Sequence, residues 1–124
     1  MRITEAESAV MNVLWDDAPR GAAEVASALS HKDWSDRTVK TLLARLVEKG
    51  ALRAEPEGRR YLYTPLIERA AHRRDAVRRL SDRLFGGRAA PMVAHLADAD
   101  ALDADDLDQL EALIAELRAK EPPR

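Results

Sequence analysis

A chain of 124 residues with no cysteine and a net charge of −2 has room for one ordinary domain, or a small domain with an oligomerisation appendix. The missing cysteines exclude a disulfide framework, a thiolate metal site and a cysteine nucleophile. Apolar runs fall far short of the roughly 20 residues that span a bilayer, so no direct membrane insertion is expected. With aromatics at 4% and charged residues at 34%, the composition suits a helical protein with an aliphatic core and a solvated surface. The opening MRITEAES lacks the apolar segment of a secretory signal, and a cytoplasmic location is expected.

In chain order, the first helix is predicted from about Glu5 to Trp15. Thr4 and Glu7 form a capping box, and Ala6, Val10, Val13 and Leu14 form its apolar face. Asp16 to Gly21 reads as a loop. A second helix, about Ala22 to Leu29, buries Val25, Ala26 and Leu29, and Ser30 to Trp34 forms a turn.

The most informative stretch follows, from Trp34 to Thr64. Ser35 is a good N-cap, and Trp34 and Val39 occupy the two positions of a hydrophobic staple. Val39, Leu42, Leu43, Leu46 and Val47 recur at helical spacing, and Gly50 follows where a glycine ends a helix. The opposite face carries Arg37, Thr38, Lys40, Thr41 and Arg45, side chains that donate to phosphates and base edges. Two short strands, Leu52 to Ala54 and Tyr61 to Tyr63, flank a predicted turn at Pro56-Glu57-Gly58, with Arg59 and Arg60 beside it. A capped helix with a polar, basic face, entered from a short helix and followed by a hairpin, reads as a winged helix-turn-helix that enters the major groove of double-stranded DNA. The predicted DNA-binding residues are Ser35, Arg37, Thr38, Lys40, Thr41, Arg45, Arg59 and Arg60.

Pro65 is predicted at the first position of a long helix from about Leu66 to Phe85, with Ile67, Ala70, Val77, Leu80 and Leu84 on one side. Gly86-Gly87 breaks it, and a short helix with Met92, Val93 and Leu96 follows. The last helix is capped by Asp103, carries Leu107, Leu110, Leu113, Ile114 and Leu117, and ends at Pro122-Pro123. Three amphipathic helices of this size cannot enclose a core alone, so a symmetric homodimer is predicted, built by Leu80, Leu84, Val93, Leu96, Leu107, Leu110, Ile114 and Leu117. The fold class is therefore mainly α with a small β wing: a DNA-binding domain over residues 1–65 and a three-helix dimerisation domain over residues 66–124.

Charge is segregated along this plan. Trp34–Thr64 carries +3, Leu66–Arg88 carries +4 through seven arginines, and Ala89–Arg124 carries −6, so the acidic tail points away from DNA or pairs with the arginine-rich helix. Most of those seven arginines read as solvated or paired with the acidic tail of a partner subunit, not as DNA contacts. The aspartates from Asp98 to Asp108 lack the glycine and the terminal glutamate of a calcium loop and read as caps and solvated loop. His31, His72 and His95 lie far apart with no helical-spacing partner, so no metal site is predicted. Tyr61 and Tyr63 read as packing residues. With no nucleophile elbow and no glycine-rich phosphate loop, neither catalysis nor a cofactor is expected.

Several blocks resemble the penicillinase-repressor family (BlaI/MecI, with the copper-responsive CopY branch): ITEAESAVMNVLW, WSDRTVKTLLARLVEKGAL and RRYLYTPLI, then LFGG and PMVAHL. The resemblance implies a winged helix domain with a helical dimerisation domain, and a dimer that represses transcription from a pseudo-palindromic operator. Arg37, Thr38, Lys40 and Thr41 match the recognition-helix positions, and Arg59 and Arg60 match the wing. It further implies derepression by cleavage around His95 and Leu96, controlled by a membrane metalloprotease-type sensor under a β-lactam or cell-wall-stress type signal. The His95-Leu96 pair differs from that of the best-studied relatives. The copper branch requires a C-terminal cysteine cluster, which this chain lacks. Two other functions suit the same fold: a winged helix that binds a protein partner without an operator, and a repressor responsive to a small ligand.

Overall fold

The computed structural model describes residues 2–122. Six α-helices and a three-stranded antiparallel sheet follow in the order α1 (Glu5–Asp16), β1 (Arg20–Gly21), α2 (Ala22–Ala28), a 3₁₀ turn (Ser30–Lys32), α3 (Asp36–Glu48), β2 (Leu52–Glu57), β3 (Arg60–Pro65), α4 (Arg69–Phe85), α5 (Ala89–Asp98) and α6 (Ala104–Ala119). The chain divides into two compact units, Met1–Asp75 and Ala76–Arg124, so α4 begins in the first and ends in the second. No helix among the described residues is long and apolar enough to cross a membrane.

The first unit is built on one aliphatic core. Val10, Met11 and Leu14 of α1, Val25 and Leu29 around α2, Val39, Leu42, Leu43 and Leu46 of α3, and Ala51 and Leu52 are all buried. The helix starts form as their capping chemistry dictates. Thr4 Oγ1 accepts from the Glu7 N–H and Glu7 Oε1 from the Thr4 N–H, while Ser35 Oγ accepts from the Thr38 N–H at 3.1 Å. Gly50, at φ +81°, ends α3 as its position predicts.

The sheet departs from the sequence expectation in two places. Arg20-Gly21, expected in a loop, forms β1 and pairs with Tyr63 and Leu62 of β3. The wing strands are longer than predicted: Pro56 and Glu57 belong to β2 rather than to the turn, and only Gly58 and Arg59 connect the strands. Pro56 is tolerated because β2 is an edge strand in the order β1-β3-β2. Gly58 has φ +61°, the positive φ that a two-residue hairpin turn requires at its first central position.

Pro65 does not start the long helix. It ends β3 opposite Leu52, beyond the reach of the two-residue β1, where its missing N–H leaves no ladder bond unmade. Leu66 then donates its N–H to the Ala51 carbonyl at 2.9 Å, and α4 begins only at Arg69. Its first turns are fastened to α1. Trp15 Nε1 donates to the Ile67 carbonyl at 2.9 Å, and Arg69 Nη2 donates to Asp16 Oδ1 at 2.6 Å and to the Asn12 carbonyl at 3.0 Å. The Arg69 guanidinium and the His72 ring both lie against the Trp15 indole, at 5.5 Å and 5.4 Å.

The second unit is thinner. Among its described residues only Ser81 is buried. Phe85 of α4 and His95 of α5 lie with ring centroids 5.3 Å apart across the glycine pair. Asp103 and Asp106 exchange capping bonds at the start of α6, at 2.8 and 3.1 Å, so Asp103 is a cap, as its place before the apolar repeat predicts. Pro122 follows α6; Pro123 lies outside the described residues.

One interaction in the first unit has no counterpart in the apolar pattern. Glu7, fully buried, accepts a 2.6 Å bond from Lys49 Nζ, whose side chain remains one-third exposed, and Lys49 also donates to the Arg2 carbonyl at 2.9 Å. Burial pushes the Glu7 carboxyl up, but the bonds from Lys49 and Thr4 together outweigh it and hold the group below its ordinary value. A carboxyl depressed on folding contributes stability above its unfolded value of 4.5 and loses it as pH falls through and below that range. Lys49→Met, which strands the buried carboxylate, is expected to cost about 1.5–3 kcal/mol at neutral pH in urea unfolding. Glu7→Gln should cost less and flatten the acid limb of the stability profile. A Lys49→Met protein as stable as its parent would show the pair to be incidental.

Candidate nucleic-acid interface

The core stripe of α3 leaves the opposite face free, and every polar residue predicted to touch DNA from this helix is exposed: Ser35, Arg37, Thr38, Lys40, Thr41 and Arg45. The chain enters α3 through the 3₁₀ turn and Asp33, which adopts φ +61°, a conformation aspartate tolerates better than most side chains. Trp34 packs against the core, consistent with its place in a hydrophobic staple, and Lys32 Nζ lies 6.0 Å from its ring centroid.

The hydroxyls on this face are not equivalent. Ser35 Oγ is occupied as the N-cap and lies 3.0 Å from Thr38 Oγ1, so Ser35 acts chiefly by fixing where α3 begins. Thr41 Oγ1 donates to the Arg37 carbonyl at 2.9 Å, which commits its proton and leaves oxygen lone pairs and a methyl group outward. Toward a base edge Thr41 is thus an acceptor, suited to the amino groups of adenine or cytosine, or an apolar contact for the thymine methyl. Arg37, Thr38, Thr41 and Arg45 line one shallow groove along the helix.

A second concavity, of about 440 Å³, joins α3 to the wing. Lys40 enters it from α3, Arg59 and Arg60 from the hairpin, and Gly21, Ala22 and Ala23 form its floor at the start of α2. The structure therefore brings Lys40 together with both wing arginines and leaves Arg37 and Arg45 on the neighbouring groove. The two arginines differ. Arg59 sits in the turn, and Arg37, Lys40, Arg45 and Arg59 have no acidic partner within 4 Å among the described residues. Arg60 begins β3 and donates from Nη1 to Glu24 Oε1 at 2.7 Å. In the sequence Glu24 shows only a capping pattern, three residues after Gly21; the hairpin's return decides which arginine it meets.

The two tyrosines on β3 also part ways. Tyr63 packs against the core, as expected, and burial, with Tyr61 adding to it, pushes its phenol above the ordinary value, so it stays a neutral donor. Tyr61 is 56% exposed and lines the concavity, available for stacking or for a phosphate.

The residues predicted to dimerise lie on the helices of the second unit. Leu80 and Leu84 are on α4, Val93 and Leu96 on α5, and Leu107, Leu110, Ile114 and Leu117 on α6. All except Val93 and Leu110, which are half-buried, are substantially exposed, from 39% at Leu80 to 59% at Leu84. Val77 and Leu113, which the dimerisation prediction leaves out, are exposed to a similar degree. His95 and Leu96 are both at the surface of α5.

The chain is similar to known proteins in sequence and fold. A family model described as penicillinase repressor matches residues 3–116. The penicillinase repressor of Bacillus licheniformis is 32% identical over 116 residues, covering 93% of this chain and 91% of the relative. The solution structure of the DNA binding domain of the repressor BlaI superposes with a TM-score of 0.52 at 41% identity, over 56% of this chain and 85% of that one. A second solution structure, of the monomeric form of Bacillus licheniformis BlaI in complex with the blaP half-operator, superposes with a TM-score of 0.50 at 41% identity, over 56% of this chain and 87% of that one.

If the concavity takes a backbone phosphate, Lys40→Ala and Arg59→Ala should each weaken binding even to a sequence-scrambled duplex. Each should also flatten the dependence of log affinity on log salt by about 0.9. Fluorescence anisotropy between roughly 50 and 200 mM salt reads both; unchanged slopes would remove these residues from the interface.

Proposed function

The chain belongs to the penicillinase repressor family, and from that premise we propose that it is a transcriptional repressor acting as a homodimer on a pseudo-palindromic operator. It binds double-stranded DNA through the first unit. The observation that carries this reading is the capped α3, whose entire polar face is exposed and whose Lys40 shares a concavity with both wing arginines. Arg37, Lys40, Arg45, Arg59 and Arg60 supply phosphate contacts, which provide most of the affinity and its salt dependence. Thr38, Thr41, Arg37 and Lys40 read base edges, each good contact contributing on the order of 1–3 kcal/mol of discrimination. The complex of a 41% identical DNA-binding domain with its half-operator supports this assignment.

Dimerisation belongs to the helical C-terminal half, residues 66–124. Its leucines are half-exposed in a single chain, and a second copy covers them. Two recognition helices related by a two-fold axis then meet successive major grooves, one DNA turn apart or a multiple of it. Derepression follows cleavage near His95-Leu96, under a membrane metalloprotease-type sensor that answers a β-lactam or cell-wall-stress type signal. These residues are at the surface but helical, so α5 opens locally before a protease can take them as an extended segment. Cleavage there removes α6 and with it half of the apolar face.

Two measurements test the reading. Lys40→Ala combined with Thr41→Ala should abolish preference for operator over scrambled duplex while the protein stays folded; retained preference would overturn the recognition-helix assignment. A chain ending at Leu96 should sediment as a monomer and bind the operator roughly 100-fold more weakly, since the second half-site is no longer linked to the first. A truncated protein that still dimerised and bound fully would exclude control by cleavage.

A further inference from the structure

Of the five basic residues proposed to meet DNA, Arg60 alone already has a carboxylate among the described residues. Its Nη1 donates to Glu24 Oε1 at 2.7 Å, and the same oxygen accepts the Gly21 N–H at 3.3 Å. Both side chains of the pair are about half exposed. Gly21 has φ −83°, open to any residue, so backbone conformation does not call for glycine there. A Cβ at that position would meet Arg60 Nη1 at 3.2 Å, which a shift of a few tenths of an ångström at the flexible end of that side chain relieves, and Arg60 Cδ and Glu24 Oε1 at 3.6 Å, an ordinary contact. The β1–β3 pairing holds Gly21 opposite Leu62, which fixes the base of the wing against the start of α2. The Gly21 N–H and then Arg60 hold the Glu24 carboxyl below its ordinary range, so it is charged at neutral pH.

We propose that Glu24 is an internal counter-ion that suppresses sequence-independent DNA binding by occupying Arg60 until a phosphate is seated beside Lys40 and Arg59. The proposal rests on the DNA-binding reading above. Non-specific affinity comes almost wholly from neutralising phosphates and releasing their counterions. An arginine already neutralised at 2.7 Å adds little to that term, and a loosely apposed duplex does not displace the carboxylate. When α3 is in register on an operator, a phosphate in the concavity has Lys40 and Arg59 as partners too. It then displaces the Glu24 carboxylate and pairs with the freed guanidinium. Specificity is a difference of affinities, so lowering the non-specific member of the pair raises it.

Glu24→Gln isolates the charge, because the amide oxygen can still accept from Gly21 and Arg60. On a sequence-scrambled duplex near 100 mM salt, the variant of the full chain should bind about five- to tenfold more tightly than the parent. Its salt slope should be steeper by about 0.9, the signature of one more phosphate contact. Adding Arg60→Gln should remove the gain. Equal affinity and slope in parent and Glu24→Gln would overturn the proposal, and so would a gain that survives Arg60→Gln, which would be an effect of net charge. A parent that binds no duplex in a salt-dependent way would overturn the DNA-binding reading itself, and this inference with it.

Discussion

The position of α3 depends on a contact far from its exposed polar face. Glu7 at the start of α1 and Lys49 at the end of α3 meet at 2.6 Å, and the same Glu7 oxygen closes the α1 capping box. One carboxylate thus starts one helix and anchors the end of another. Lys49 also places its positive charge where the carbonyl end of α3 favours it. The apolar stripe decides which face of α3 is buried, but leucines are tolerant of small slides and rotations. A charge-assisted bond inside the fold is not, because a slide leaves a buried carboxylate without its partner. The aliphatic core supplies cohesion; the ion pair supplies register.

The wing depends on a similar division. The β2–β3 ladder runs from Leu52↔Pro65 to Glu57↔Arg60, with the core at one end and the turn at the other. Because β2 is an edge strand, its outward backbone groups are open to pairing with another chain, and Pro56 together with the exposed Arg53–Glu55 pair blunts that edge. Two residues of β1 suffice to hold the hairpin's base against α2. The distance from core to turn therefore sets how far Arg59 reaches, and the β1 contact sets where Arg60 stays.

Features written in local chemistry were legible in the sequence. Thr4, Ser35 and Asp103 cap because their side-chain oxygens meet the backbone three residues on. Val39 to Leu46 bury because their spacing matches the helical period. Features that need a long-range partner were not legible. Pro65 reads equally as the first residue of a helix or the last of a strand, since its fixed φ suits both; only the pairing with Leu52 decides. Arg20-Gly21 is too short to carry an alternating pattern. Glu7 was visible as a capping residue but not as a buried one, because the lysine that permits its burial lies 42 positions away. At the candidate interface the exposed face of α3 could be read in advance, whereas the separate fates of Arg59 and Arg60 follow from a two-residue turn placed differently from the expected one.

The two units also differ in how much apolar surface they retire, and this bears on control. The first closes its core on itself. The second leaves leucines about half exposed on α4, α5 and α6, each offering on the order of 1 kcal/mol if a second copy covers it. Association must overcome several kcal/mol of lost translational and rotational freedom, so a dimer built on this face gains from every helix and has little to spare. Leu107, Leu113, Ile114 and Leu117 all lie on α6, beyond the surface pair His95-Leu96. A single cut there would remove the largest share of the apolar face while leaving the DNA-binding unit folded. In the dimer proposed above, such a cut would break the link between half-sites and leave the exposed face of α3 unchanged.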